Sequence, residues 1–233
     1  ERLHYHAWNE TRDVFWADKK NGLSQNFWSR AIGWHLMALV DVYGLMPETQ
    51  QQHRETLAAL FREAMDGVLL YQDGESGLFY QLTALPDLAG NYLETSASLM
   101  VAYALLKGVR LGVLIDARYQ NAAEAVLFGI MTRKMAFSNG RLSLTGICKG
   151  AGLGPEGNFK RDGSVAYYLS EEVVCDEQKG VGVCMMAYAQ WLLRSREAGG
   201  AVPDYPTVQI FTKAYDPIMP AEIAALKARG GKG

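Results

Sequence analysis

Apolar residues recur along most of this chain at helical spacing. Leu57, Leu60, Phe61, Ala64, Met65, Val68 and Leu69 lie on one face of a helix, with polar residues between them. Pro47 and Thr49 stand ahead of it as start signals, and Gln52, three after Thr49, completes the pattern of a capping box. A second amphipathic helix is predicted from about Asp116, with Tyr119, Ala122, Ala123, Val126, Leu127 and Ile130 on one face. Two short β-like pieces, GLFYQL (Gly77 to Leu82) and RLSLTGIC (Arg141 to Cys148), are bounded by Gly, Asn and Ser turn residues.

Three further segments are apolar around most of their circumference: GWHLMALVDVYG, SASLMVAYALLKG and GVCMMAYAQWLL. Laid together they align Met37, Met100 and Met186, at intervals of 63 and 86 residues. Each interval has room for a return helix and a loop. Helices apolar all round are buried on several sides, whereas amphipathic ones keep one wet face. Inner apolar helices alternating with outer amphipathic ones predict an α/α toroid, a ring of helical hairpins. The three methionines belong on its inner layer. The intervals are too long for the common helical solenoids. Three hairpins are about half of a six-hairpin ring, so the expected fold is all-α, with about the second half of the ring present. Inner-helix surface is then left uncovered, and the isolated chain is expected to self-associate or to need the missing half.

Residues 1–198 form this helical part. Residues 199–233 read as an extended tail with four of the seven prolines, followed by a short helix, AEIAALKARG.

Composition narrows the classes. At 49% hydrophobic, 21% charged and a net charge of −2, the chain has no basic patch for nucleic acid and no polybasic membrane anchor. It has no apolar run near the ~20 residues of a membrane span. No leader-like stretch follows Glu1, so a cytoplasmic protein is expected. Cys148, Cys175 and Cys184 have no metal-ligand spacing and read as reduced thiols, and the four histidines show no paired-ligand motif. No metal and no cofactor are implied. GAGLG and GVG lack the strand and helix context of a dinucleotide-binding loop.

The chemistry gathers where one apolar helix begins, in QNFWSRAIGWHLMALVDV. Trp28, Arg30 and Trp34 place two indoles and a fixed positive charge there. The segment FWSRAIGW resembles the W-x-R-x-x-G-W motif of the unsaturated rhamnogalacturonyl hydrolases, glycoside hydrolase family 105, relatives of the family 88 unsaturated glucuronyl hydrolases. YHAWNET, NYLETSASLMVAYALLKGVR, GICKGAGLG and RDGSVAYYLSEEVVCDEQKGVG are similar to four more of the family's blocks, in the family's order. The resemblance covers Tyr5 to about Trp191.

It implies an (α/α)6 barrel and a hydrolase that removes a 4,5-unsaturated galacturonyl residue from the non-reducing end of rhamnogalacturonan-derived, pectin-type oligosaccharides. The implied chemistry is hydration of the enol ether: an aspartic acid protonates C4, water adds at C5, and the hemiketal opens and expels the leaving sugar. The implied substrate-binding residues are His6, Trp28, Arg30 and Trp34. An indole covers a sugar face, and a guanidinium grips a carboxylate with two parallel hydrogen bonds.

The general-acid aspartate of the family falls upstream of the YHA segment, hence upstream of Glu1. Asp13, Asp18 and Asp41 match no such motif, so the catalytic residue is unknown and the isolated chain is expected to be inactive. Ile32 stands where many members have asparagine, which changes the polar contacts beside Arg30. Glu94 reads as a helix cap, Lys149 as a loop cation, Asp162 as a turn residue, and His4, His35 and His53 as structural or solvent-facing. A second reading stands beside the enzyme: a non-catalytic helical remnant, or a sugar-binding or scaffolding module.

Overall fold

The computed structural model describes residues 2–197. The predicted tail from 199 onward lies outside the described residues. Five long helices carry the fold: α1 (Ser29–Leu45), α2 (Gln51–Leu69), α3 (Thr95–Arg110), α4 (Ala117–Arg133) and, after the short α5 (Val165–Ser170), α6 (Gln178–Glu197). Among the described residues, sheet is confined to two ribbons of two antiparallel strands. The first pairs β1 (Met135–Ser138) with β2 (Arg141–Leu144), and the second pairs β3 (Ile147–Cys148) with β4 (Val173–Val174).

The inner layer is α1, α3 and α6, with α3 in the middle. Helix α3 is buried from Thr95 to Leu106 and again at Gly108, because α1 and α6 flank it and α4 packs behind it. Helices α1 and α3 approach closely at Gly33, where a Cβ would lie 2.7 Å from that of Met100. Along α1, Asp41 meets Tyr103 and Lys107 of α3 at 2.7 and 2.8 Å. Along α6, Gly180 sits against Ile147, beside the start of α3, and Gln190 accepts a hydrogen bond from Arg110 near its end. The three inner helices therefore run parallel, and their N-termini gather at one end of the arc. Helices α2 and α4 are the outer layer. Helix α2 buries Ala58, Phe61, Ala64, Met65 and Val68, and α4 buries Tyr119, Ala123, Val126 and Ile130. This is about half of an (α/α)6 barrel.

Several local expectations need correction. The capping box at Thr49 does not form: α2 starts at Gln51 with Gln50 as N-cap and no side-chain cap. Asp116 does cap α4, accepting from the Arg118 N–H at 2.9 Å. GLFYQL is not a strand. It makes single bridges, Tyr80 with Leu93 and Trp28 with Leu82, that tie the start of α1 to the segment entering α3. RLSLTGIC splits between two ribbons, because Thr145 and Gly146 (φ 74°) turn the chain from the β1–β2 hairpin toward β4. Met37 and Met100 are buried on the inner layer, but Met186 is 39% exposed. Helix α6 touches α3 through Gly180, Val183, Ala187 and Trp191, and Met186 faces away from that contact. Leu60 of α2 is likewise exposed.

Candidate functional site

The site forms at the end of the arc where the inner helices begin. Helix N-termini leave backbone N–H groups and the positive end of the dipole pointing outward, which favours anions. The chain enters α1 through Trp28, held by two links. Ser29 N–H donates to the Gln81 carbonyl at 3.0 Å, and the Trp28 indole N–H donates to Gln81 Oε1 at 3.3 Å. Gln81 in turn points Nε2 at Cys148 Sγ, 3.4 Å away.

Glu94 anchors the neighbouring helix start. It is fully buried and accepts from the Ala97 N–H at 2.5 Å, the Cys148 N–H at 2.9 Å and the Ser96 hydroxyl at 2.9 Å. It is the cap of α3, and it also staples β3 to that helix. Its bonds are structural, and it is not free to serve a ligand.

Arg30 sits on the first turn of α1 and is only 1% exposed. Its guanidinium lies 5.4 Å from the Trp28 ring centroid. Both terminal nitrogens are buried with no hydrogen-bond partner. A buried guanidinium without acceptors carries a desolvation cost of several kcal/mol that an anion would offset. The Arg30 charge acts on Tyr92, Cys148 and Glu177, which mark its surroundings. Burial pushes the Cys148 thiol up, and Arg30 only partly offsets this, so Cys148 is a poor thiolate. The Tyr92 phenol is also raised, by burial first, and stands against the Cys148 thiol. Arg30 thus offers its unpaired donors beside Tyr92 and Cys148.

His6 stands beside Trp28. Its Nε2 is 2.7 Å from the Tyr168 hydroxyl, its Nδ1 is 3.3 Å from the Ser24 hydroxyl, and its ring meets Trp28 and Tyr168 edge-on. Trp28 and Tyr168 stack at 5.8 Å. Burial holds His6 below the usual histidine range, against a raising backbone contact at Asn26. Tyr168 is raised by burial, so its hydroxyl keeps its proton, and it donates to or accepts from Nε2 according to the tautomer of neutral His6.

The structure therefore brings His6, Trp28 and Arg30 together. Trp34 is different. It lies one turn along α1 from Arg30, about 6 Å by helical rise, and is 48% exposed on the flank turned away from α2. A cleft of about 280 Å3 opens between the N-terminal segment and α1, lined by His4, Tyr5, His6, Ile32 and His35 among others. It reaches His6 but not Arg30. Lys149 pairs with Glu172 at 2.6 Å in the solvent, and Asp162 accepts from the Ser164 N–H in its turn.

Sequence reasoning did not nominate Gln81, Tyr92, Cys148 or Tyr168. Cys148 and Tyr168 lie in GICKGAGLG and SVAYYLS, blocks whose pattern is visible but whose contacts with Trp28 and Gln81 depend on the fold.

Asp13, Asp18 and Asp41, which match no general-acid motif, are occupied elsewhere. Asp13 accepts from Thr11 at 2.7 Å, which, with the charge of Lys19, keeps it below the carboxylate range. Asp18 is lowered by the backbone N–H groups of Asn21 and Lys20. Asp41 pairs with Lys107. A lowered carboxyl is a weak proton donor near neutral pH. Among the described residues, no group of three or more His, Cys, Asp or Glu could hold a metal ion, and no helix is long and apolar enough to cross a membrane.

An arc of α/α hairpins around parallel inner helices is part of a six-hairpin, (α/α)6 fold. The chain belongs to Glycosyl Hydrolase Family 88, whose profile matches residues 1–194. It is similar to the 24.9 kDa protein in picA locus of Rhizobium radiobacter, 42% identical over 199 residues, covering 83% of this chain and 84% of that protein. It is also similar to the unsaturated rhamnogalacturonyl hydrolase YesR of Bacillus subtilis (strain 168), 32% identical over 125 residues, 54% of this chain and 32% of that one. Among solved structures, a family 105 glycoside hydrolase of C. acetobutylicum ATCC 824 superposes with a TM-score of 0.76 at 38% identity, covering 81% of this chain and 52% of the other. The chain thus spans about half the length of that solved relative and 84% of the short one.

Proposed function

We propose that this chain carries the substrate-carboxylate end of a hydrolase that removes a 4,5-unsaturated galacturonyl residue from rhamnogalacturonan-derived oligosaccharides by hydrating the enol ether. The observation that carries the reading is Arg30, a buried guanidinium whose two terminal nitrogens have no partner. The C5 carboxylate of an unsaturated uronic acid supplies two acceptor oxygens in one plane and matches that fork. Trp34 offers an exposed sugar-covering face, whereas Trp28 is buried against Tyr168 and supports Arg30 and His6 from behind. The name of the Bacillus relative supports the choice of substrate class.

The proton for C4 comes from an aspartic acid in the half of the fold upstream of residue 1. The three aspartates nearest in sequence to the site, Asp13, Asp18 and Asp41, are already engaged in loop contacts or an ion pair. That same observation favours a second reading, a sugar-binding module without turnover.

The experiment is to fuse or co-express the upstream half and follow an unsaturated galacturonyl–rhamnose disaccharide by loss of its ultraviolet absorbance. The fused protein should turn over, and the 233-residue chain alone should not. Arg30→Ala should cost about 2–5 kcal/mol in binding, with Arg30→Lys recovering part. Trp34→Phe should be milder than Trp34→Ala. Turnover by the isolated chain at about 1 per second or faster would place the acid within these residues instead. Binding without turnover in the fused protein would favour the second reading.

A further inference from the structure

Tyr168 is among the largest fully buried side chains, and three separate elements meet on it. Its hydroxyl lies 2.7 Å from His6 Nε2, on the N-terminal segment. Its ring stacks on Trp28, at the entry to α1, with centroids 5.8 Å apart and planes at 28°. Tyr167, its neighbour on α5, leans on it at 5.0 Å. Trp28 in turn lies under the Arg30 guanidinium. One side chain thus backs the three site residues that the fold brings together.

Helix α5 is fastened so as to hold it there. Its six residues are too few for a helix that stands alone. Ser164 caps it, accepting from the Tyr167 N–H at 3.1 Å, and Asp162 fixes the cap by accepting from the Ser164 N–H at 2.9 Å. Asn26, two residues before Trp28, donates to the Gly163 carbonyl at 2.7 Å. The Gly152 N–H donates to the Tyr167 hydroxyl at 3.0 Å. These bonds tie α5 to the segment that carries Trp28, and none of them uses the Tyr168 hydroxyl. That hydroxyl goes to His6. On the other side of the imidazole, the buried Ser24 hydroxyl lies 3.3 Å from Nδ1. Both ring nitrogens therefore face buried hydroxyls, and a hydrogen bond at each fixes the ring plane and the tautomer.

We infer that Tyr168 is a positioning residue of the uronyl site: its hydroxyl holds the ring plane and tautomer of His6, and its ring sets the Trp28 indole beneath Arg30. The effect on turnover rests on the function proposed above, whereas the orienting of His6 stands without it. An imidazole lacking such partners samples both tautomers and more than one rotamer. A site group misplaced by about 1 Å costs up to about a hundredfold in rate.

Tyr168→Phe removes the hydroxyl and keeps the ring, so it tests the contact with His6 alone. In the 233-residue chain carrying isotope-labelled histidine, nitrogen NMR should show His6 in one tautomer, and the Phe variant should shift the tautomer ratio. In the protein fused to its upstream half, Tyr168→Phe should lower kcat/KM for the unsaturated disaccharide about tenfold, with helical circular dichroism retained. In a His6→Gln background the same change should cost nothing further, because the hydroxyl acts through His6. A tyrosine that only stabilises the fold would leave the tautomer unmoved and cost the same in both backgrounds. If Tyr168→Phe does not fold, the native protein decides: one dominant His6 tautomer supports the inference, and comparable amounts of two overturn it. It is also overturned by a His6 spectrum unchanged in the Phe variant, or by an equal loss of kcat/KM with and without His6. A shifted His6 spectrum in a fused protein without turnover would count against the hydrolase and for the orienting role of Tyr168.

Discussion

Arg30 holds a charge where the unliganded fold would be more stable without one. Its guanidinium is buried, without a hydrogen-bond partner, and lies over the Trp28 ring. Arg30→Met keeps similar volume and removes the desolvated charge, so it should stabilise the unliganded chain by about 1 kcal/mol or more while abolishing carboxylate binding. Denaturant titration of the two proteins checks this, and a destabilised Met variant would show that an anion or water already satisfies Arg30. His6 gives a pH signature. Burial lowers its pKa in the folded chain, so the unfolded chain takes up the proton first as pH falls. Its contribution is complete above the ordinary histidine value, about 6.5, and is lost as pH falls through the lower folded value. Unfolding midpoints at pH 7.5 and 5.5 should therefore differ, and His6→Gln should shrink the difference.

At the scale of elements, the inner layer depends on two close fits. Gly33 lets α1 approach α3 until only hydrogen fits against Met100. Gly33→Ala should cost about 1–3 kcal/mol, because backbone or Met100 must shift. Glu94 joins the start of α3 to β3. Glu94→Ala leaves the buried N–H groups of Ala97 and Cys148 without acceptors, at about 1–3 kcal/mol each. It should also loosen the site, since Cys148 and Gln81 support Trp28. Hydrogen exchange at Cys148 and Ala97 would report both effects. Little of this was legible beforehand. A cap at Glu94 follows from its place before an apolar run, but the Cys148 contact spans 54 residues and needs the ribbon in place.

For the whole molecule, the arc joins three inner helices to two outer ones and leaves α1 and α6 with one open side each. Supplying the upstream half should raise the thermal midpoint of this chain, because it covers both open sides, whereas a self-contained arc would hold its midpoint constant. The exposed Met186 belongs to this scale: its helix is inner, yet its side chain lies on the open side of α6.

The 3.6-residue recurrence of apolar positions was enough to determine five helices, and the contrast between all-round and one-sided apolarity sorted them into inner and outer layers. Both are local properties that a helix imposes on its own residues. The motif around Trp28, Arg30 and Trp34 put the candidate site at the start of an inner helix. What the tertiary structure decided is where those residues point and what surrounds them. Arg30 is sealed without a partner, Trp34 looks outward one turn away, and His6 reaches Tyr168 across 162 residues. Such contacts depend on how parallel helices and short ribbons meet at one end of the arc. No periodicity within a single segment records that distance.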